Sequence, residues 1–280
     1  MWMKGATISA KNNKHSFVKP AEFIDVVELT SLKLHDKRLF NELLANAWED
    51  IGEGKEHTIH KNDIKAIDKN LHRLEDSLER LMGTIIKTLV AIDGEDYTRR
   101  FHFLARVDDA IRSDGLVIYR FSDDAEELML NSNIFARIQR EIMFALSSKY
   151  SLSLYEVLAK RMNLKHKQHE IFELDAFRGM IGVAKKQYKL IGQLRERVLD
   201  TAFGEVGQLT NVGCAYELIR VRGKGYTHIK VTWFAKDPSA SFEAHKKRSM
   251  TKDQQLGERK EHSEMLRKID KQARKNRNNR

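Results

Sequence analysis

The sequence contains little cysteine, little proline and no long hydrophobic run. Its single cysteine, Cys214, excludes an intramolecular disulfide and a thiolate-rich metal site, so a reducing compartment is expected. No stretch approaches the roughly 18 uninterrupted apolar residues that a membrane-spanning helix requires, and polar residues follow Met1 where a signal peptide would have an apolar core. These absences argue against secretion and membrane insertion and predict a cytoplasmic protein.

The two prolines, Pro20 and Pro238, bracket the part of the chain that shows periodic hydrophobic patterns. Residues 1–19 are polar and are predicted to be flexible. Residues 238–280 are rich in Lys, Arg, Gln, Asn and Ser, with too few large apolar residues to offset the entropy of ordering. This C-terminal segment is therefore predicted to be a basic, disordered tail.

Positive charge is concentrated near the C-terminus. The chain carries a formal net charge of +10, of which residues 246–280 supply +8 with 13 Lys or Arg and 5 Asp or Glu. A nearly neutral body with a cationic tail is typical of a protein that binds a polyanion such as nucleic acid. A tail that only increases solubility is the alternative.

The first half of the periodic region has the pattern of a helix-turn-helix domain followed by strands. Helical spacing predicts helices at 32–48, 62–67 and 71–82, and Gly83 ends the third. Alternating β-rich runs follow at 84–92, 100–107 and 116–121, separated by the turn signals Asp93-Gly94 and Asp114-Gly115.

The second half repeats this order. Helices are predicted at 134–146, 152–161, 174–180 and 185–206, and strands at 215–221 and 226–234. The strands flank Arg222-Gly223-Lys224-Gly225, where glycine supplies positive φ. We therefore predict a helix-rich α+β protein with two tandem winged-helix domains, at 20–130 and 131–237, and the tail at 238–280.

The helix predicted from residue 185 has the chemistry of a DNA recognition helix. Tyr188 and Leu194 share its apolar face, while Gln193 and Arg197 lie on the opposite face. Arg bonds guanine in a bidentate manner, Gln does so with adenine, and Lys binds phosphates. Arg195 falls near the apolar arc, where either a phosphate or an internal carboxylate would be its partner. The predicted DNA-binding residues are Lys185, Lys186, Lys189, Gln193, Arg195 and Arg197. An ordinary solvated cationic face is the alternative.

Two further groups of residues are predicted to contact DNA. The hairpin after the helix would be a wing that lies along the backbone or in a minor groove, although cationic residues also protect exposed β-edges from aggregation. Its candidates are Arg220, Arg222, Lys224 and Lys230. In the first domain the tentative candidates, for which simple packing is the alternative, are Lys69, Asn70, His72 and Arg73.

Signals for enzymatic activity are weak. No G-x-x-x-x-G-K-[ST] phosphate loop is present. The pairs His57/His60 and His166/His169 lack a nearby carboxylate or thiol set that would complete a zinc site. We expect no catalytic residue, metal or cofactor, and no nuclease activity.

Three segments of the second half resemble the iteron-type plasmid replication initiator family. Residues 145–158, ALSSKYSLSLYEVL, are similar to that family's L-x-S-K-Y-x-x-x-L-Y-E-x-L stretch. Residues 172–178, FELDAFR, and 197–202, RVLDTA, are similar to its hydrophobic-x-L-x-x-L/F-R and R-V-L-x-x-A segments. The segment after the last match departs from the family's A-x-x-E-I-N pattern, because residues 202–207 read AFGEVG.

The resemblance implies a sequence-specific initiator that binds directly repeated double-stranded origin sites (iterons) and promotes origin opening in plasmid replication and copy control. It also implies contacts with host replication proteins such as a helicase and the host initiator. A monomer–homodimer equilibrium is implied as well, in which dimers repress the protein's own promoter at an inverted repeat. The alternatives from the residues alone are a tandem winged-helix transcriptional regulator and a protein-interaction module without DNA binding.

Overall fold

The computed structural model describes residues 12–250 except 26, 29–31, 53, 66–70, 113 and 165–166. The first half of this part contains, in chain order, β1 (Ser16–Pro20), β2 (Val27–Glu28), α1 (Leu34–Ala47), β3 (His57–His60), α2 (Lys61–Lys65), α3 (Leu71–Met82), β4 (Ile85–Ile92), β5 (Glu95–His102), β6 (Leu104–Asp109), β7 (Leu116–Phe121) and α4 (Asp123–Asn131). Short 3-10 turns follow β1 and α1. Within the described residues the three predicted helices are confirmed in order and type, and the β-rich runs form strands, although the run 100–107 is divided between β5 and β6.

The first domain packs α1 and α3 over two small antiparallel sheets. Their strand orders are β3-β7-β6 and β2-β4-β5. Leu78 and Leu81 on α3 are buried in one core with Leu43 on α1 and Tyr119 on β7. The β4–β5 hairpin turns at Asp93-Gly94, where both residues have positive φ (52° and 83°), as the tightest hairpin turns require.

The second half contains β8 (Phe135–Gln139), α5 (Arg140–Ala145), α6 (Lys149–Arg161), β9 (His169–Glu173), α7 (Leu174–Met180), α8 (Ile191–Leu194), a π-helical turn (Arg195–Leu199), α9 (Asp200–Leu209), β10 (Val212–Val221), β11 (Gly225–Ala235) and α10 (Pro238–Arg248). Its core joins α6, α7 and α9 to one face of a three-stranded sheet of order β10-β11-β9. This core also contains Phe17, Ile24 and Ala45 from the first half of the chain, and every buried apolar residue described from Ala136 to Trp233 belongs to it rather than to the first core.

One predicted helix is partly a strand. The prediction of a helix over 134–146 is wrong for 135–139, which form β8. This strand pairs antiparallel with β1, from Ser16↔Gln139 to Pro20↔Phe135. Ala136 and Ile138 alternate inward in it and are fully buried. Since the partner strand lies more than 110 residues away in sequence, local helical spacing could not reveal the pairing.

The predicted flexible ends are also partly ordered. Residues 16–19, assigned to a flexible N-terminus, lie in β1, where Phe17 is fully buried. Residues 238–248, assigned to a disordered tail, form α10. The Asp237 side chain caps this helix by accepting from Ala240 N–H, and Pro238 starts it. Residues 251–280 and 1–11 lie outside the described residues.

Helix α10 is fastened to the second domain by its last residue. The Arg248 guanidinium donates to the carbonyl of Leu209, at the end of α9, over 2.8 Å. It also pairs with Glu141 on α5 at 2.9 Å. The hydrogen bond and the charge of Arg248 together hold the pKa of Glu141 below its usual value, although partial burial opposes them.

Polar bridges join the two domains. Arg38 on α1 donates to the carbonyls of Phe144 and Leu146, just where α5 ends and its last carbonyls lack partners within the helix. Lys160 on α6 pairs with Asp25, which follows β1. These contacts attach the second domain to the first helix and to the N-terminal segment.

Lowering the pH is expected to destabilise the first domain through His57. Its side chain is buried between Tyr119 and Phe121, and its Nε2 has no hydrogen-bond partner among the described residues. Burial, aided by Lys55 and opposed by Asp50, lowers its pKa below 6.5. The unfolded chain therefore binds more protons than the folded chain as pH falls through 6.5, and stability is lost from there down to the folded-state pKa.

The measurement is the melting temperature between pH 5 and pH 7.5 for the wild type, His57→Leu and His60→Gln. His60 is exposed on the same strand and serves as the matched control. We expect His57→Leu to flatten the pH dependence and His60→Gln to keep it. An unchanged profile in His57→Leu would contradict the prediction.

None of the helices in the described ranges is both long and apolar enough to cross a bilayer.

Candidate nucleic-acid interface

The predicted recognition residues Gln193, Arg195 and Arg197 lie on one long helix of the second domain. Helix α8, the π-helical turn and α9 follow one another without a break, and we call them the 191–209 helix. Leu194, Val198 and Ala202 are fully buried against the core. Gln193 and Arg197 are exposed on the other side. The predicted division into a core face and a polar face is therefore confirmed within this helix.

The 191–209 helix contains a π-helical turn at its most charged point. The N–H of Asp200 donates to the carbonyl of Arg195, five residues back, and the Thr201 hydroxyl donates to the carbonyl of Glu196 at 3.3 Å. Residues 195–197 are all exposed there. Single π turns inside α-helices occur frequently at functional sites because the extra residue alters which side chains share a face.

Arg195 points to an internal partner. Its Nε lies 3.9 Å from Asp200 Oδ2, and the other oxygen of that carboxylate accepts from the Tyr216 hydroxyl on β10. Burial, followed by this hydrogen bond to Asp200, raises the pKa of Tyr216. This carboxylate is one of the two partners that the sequence suggested for Arg195. Because 53% of the Arg195 side chain is exposed, a phosphate contact stays a prediction.

The three predicted lysines are exposed but lie before the helix. The prediction of a helix from residue 185 is wrong, because regular helix begins at Ile191. Residues 184–190 form a loop, which we call the lysine loop, and Tyr188 within it has a left-handed φ of 46°. A bulky residue in that region interrupts a right-handed helix. Lys185, Lys186 and Lys189 therefore border the N-terminal end of the 191–209 helix instead of sharing a face with Arg197.

The hairpin of β10 and β11 forms the predicted wing. Gly223 and Gly225 have φ of 79° and 77°, so the positive-φ turn is confirmed. Arg220, Arg222 and Lys224 are exposed at its tip. Lys230 is different, since it lies in the middle of β11, flanked by Glu217 on β10 and Ile171 on β9. The structure thus groups three of the four wing candidates.

The first-domain candidates are less well defined by the structure. Lys69 and Asn70, and the side chain of His72, lie outside the described residues. Arg73 is exposed on α3, on the same helix as exposed acidic residues. Arg80, at the end of α3, forms a bidentate ion pair with the buried Asp36 on α1.

Within the described ranges, no group of three or more His, Cys, Asp or Glu is arranged to hold a metal ion. Burial raises the pKa of the Cys214 thiol to about 12, with Lys236 opposing the shift, so this thiol stays protonated at neutral pH.

Sequence reasoning missed two residues that shape this surface. Arg178 on α7 contacts the backbone of the lysine loop, and Tyr150 on α6 contacts the ring of Tyr188. Both belong to the segments that carry the family resemblance, but the sequence alone offers no reason to connect either one with residues 184–190.

Two family models match the chain. The model described as the WH1 domain of initiator replication protein matches residues 16–159, and the model described as the WH2 domain of initiator Rep protein matches residues 173–233. Comparison with individual curated proteins gives no match. The matched ranges contain both winged helices, and they leave α10 outside.

Proposed function

The chain belongs to the family of initiator replication proteins, as a plasmid replication initiator with two winged-helix DNA-binding domains, and we propose that it binds directly repeated sites in its origin. The observation that carries the proposal is the exposed pair Gln193 and Arg197 on a helix whose opposite face is buried in the core. A basic wing and the lysine loop flank this pair.

In this proposal the contacts divide by chemistry. Arg197 and Gln193 read base edges in the major groove, where a guanidinium suits guanine and a carboxamide suits adenine. The lysine loop and the wing residues Arg222 and Lys224 bind phosphates, which set the position of the domain on the duplex. Arg195 supports the helix through Asp200. Two helices inserted one turn apart on one face of the duplex would protect about 20 bp.

The proposal assigns no bond chemistry to this chain. Origin opening would follow from bending and destabilising the DNA next to the bound repeats and from contacts with host replication proteins such as a helicase. The β4–β5 hairpin supports a monomer–dimer equilibrium, because β5 lies at the edge of its sheet among the described strands and edge strands can pair between chains. Dimers would then repress the protein's own promoter at an inverted repeat and limit copy number.

Arg197→Ala is expected to weaken binding to the repeated site by about 1–3 kcal/mol and to relax the base preference at one position. The measurement is footprinting and titration on the DNA that flanks the gene of this protein, at two salt concentrations. The matched control is Arg112→Ala, which removes an exposed positive charge from the β6–β7 loop of the first domain.

Protection of tandem direct repeats by the wild type, weakened in Arg197→Ala but not in Arg112→Ala, is the expected result. Equal weakening on every sequence would make Arg197 a phosphate contact. Protection of one inverted repeat alone would indicate a transcriptional regulator, and protection that does not depend on salt would contradict phosphate binding.

A further inference from the structure

The lysine loop has a defined shape although its lysines are exposed. It follows Gly182, whose φ is 77°, and it contains the turn in which Gln187 N–H donates to the carbonyl of Ala184 at 2.9 Å. A ten-residue connection between α7 and α8 with so few backbone hydrogen bonds of its own needs outside contacts to keep one conformation. Two such contacts come from α6 and α7.

The first contact is made by Arg178, in the last turn of α7. Its two terminal nitrogens donate to the carbonyls of Gln187 and Tyr188, the latter at 3.3 Å. Only 11% of the Arg178 side chain is exposed. The planar guanidinium reaches two successive carbonyls at once, and a lysine ammonium cannot reproduce that geometry.

The second contact is made by Tyr150, in the first turn of α6. Its ring meets the ring of Tyr188 edge to face, with centroids 6.3 Å apart and planes at 75°. Burial, followed by a side-chain hydrogen bond with Tyr188, raises the pKa of the Tyr150 hydroxyl. The left-handed backbone of Tyr188 is costly for a bulky residue and persists only where its surroundings impose it. Arg178 holds the carbonyl of Tyr188, and Tyr150 holds its ring.

We propose that Arg178, Tyr150 and Tyr188 form a clamp that positions the lysine loop for the DNA backbone before DNA is bound. Lys186 and Lys189 lie on either side of the clamped Tyr188 and are exposed. Fixing the backbone of Tyr188 therefore also fixes the backbone positions from which both lysine side chains extend. A loop ordered in advance loses less conformational entropy on binding. The inference rests on the proposed function, and it makes Arg178 and Tyr150 positioning residues that do not touch DNA.

A double-mutant cycle tests the clamp. The variants are Arg178→Ala, the pair Lys186→Ala with Lys189→Ala, and all three together, measured on origin DNA from beside the gene and on a random duplex of equal length. We expect Arg178→Ala to lower affinity about tenfold on both duplexes, and less than about twofold once the lysines are gone. Arg178→Lys keeps the charge and is expected to lose nearly as much as Arg178→Ala. Arg112→Ala is the charge control.

If the fold-loss of DNA affinity in the triple variant equals the product of the separate losses, the proposal is overturned, because Arg178 would then act independently of the lysines. A global loss of stability would multiply in the same way, so it cannot imitate the expected coupling. Wild-type affinity in Arg178→Ala would also overturn it.

Hydrogen exchange of residues 184–190 in the DNA-free protein provides the second readout. We expect faster exchange in Arg178→Ala and in Tyr150→Leu, which removes the ring contact from another helix. Unchanged exchange in both would overturn the clamp. This readout needs no DNA, so a wild type that fails to bind origin DNA would contradict the proposed function while exchange still decides whether the clamp holds the loop.

Discussion

Glu156→Ala is expected to lower the free energy of unfolding by about 3–5 kcal/mol, the range for removing one partner of a buried ion pair. Glu156 on α6 pairs with Lys19 on β1 at 2.9 Å, and the two side chains are only 5% and 6% exposed. Asn41 on α1 completes the group, donating to Glu156 at 2.7 Å and accepting from Lys19 at 3.0 Å. The alanine would remove the Glu156 carboxylate from beside the buried Lys19 ammonium.

Urea unfolding and the melting temperature measure this loss. At about 2–4 °C per kcal/mol for a chain of this size, the melting temperature should fall by roughly 10 °C. The control is Glu56→Ala, which removes an ion pair with Arg106 at the surface and should change little. A loss in Glu156→Ala no larger than in the control would contradict the prediction.

The double variant Lys19→Met with Glu156→Leu tests separately whether this polar network contributes to stability and whether it sets the relative position of the two domains. Replacing a buried pair by apolar residues of similar size is often neutral or stabilising. Because the buried Asn41 amide loses both of its bonds to the pair, only part of the loss should be recovered. The network spans β1, α1 and α6 and therefore connects the two domains. If the polar network also specifies how the domains sit, the double variant should be stable yet protect a footprint of altered length.

Arg80→Ala is expected to cost about 2–3 kcal/mol, below the range for a fully buried pair because 27% of the Arg80 side chain is exposed. Arg80 on α3 bonds both oxygens of Asp36 on α1, each at 2.9 Å, and the Asp36 side chain is fully buried. This pair holds α3, the second helix of the helix-turn-helix in the first domain, against α1. Arg80→Lys should recover only part of the loss, because an ammonium cannot bond both oxygens in the same plane.

Chemical unfolding compares Arg80→Ala with Asp76→Ala. Asp76 is 64% exposed and lies 3.9 Å from the same guanidinium, so its removal should change stability little. Equal losses in the two variants would contradict the prediction.

The same pair predicts a pH dependence at the acidic end. Burial alone would raise the pKa of Asp36, but the hydrogen bonds from Arg80, Lys33 N–H and Ser77 outweigh it and lower the pKa below 3.8. The pair's contribution is present above that value and is lost as pH falls through the folded-state pKa, because the unfolded chain takes up the proton first. In Arg80→Ala, acid unfolding should therefore occur at a higher midpoint pH than in the wild type.

Some parts of the molecule were predictable because their signals are local. The stripe of Leu74, Leu78 and Leu81 recurs at helical spacing, and α3 follows it. Gly223 and Gly225 mark a turn that only positive φ allows, and the wing follows from it. Gln193 and Arg197 oppose an apolar face within four residues, so their exposure could be deduced from helix geometry.

Other parts depend on contacts between distant residues. Residues 135–139 extend because β1 supplies the hydrogen-bond partners, and residues 238–248 form a helix that Arg248 fastens to the end of α9. The lysine loop departs from a helix because Arg178 takes the carbonyls of residues 187 and 188. Hydrophobic periodicity indicates only which face of a segment is buried, and it carries no information about hydrogen-bond partners from distant segments.

The amino-acid sequence by itself therefore determined the order of the elements, the winged-helix architecture and the helix face that bears Gln193 and Arg197. Those features arise from side-chain spacing, turn chemistry and hydrophobic periodicity, which act within a few residues. The tertiary structure alone decided that the lysines lie on a clamped loop, and that Lys19, Asn41 and Glu156 join the domains. Each of these is set by which charged or polar group burial brings within hydrogen-bond reach, and packing of distant segments decides that choice.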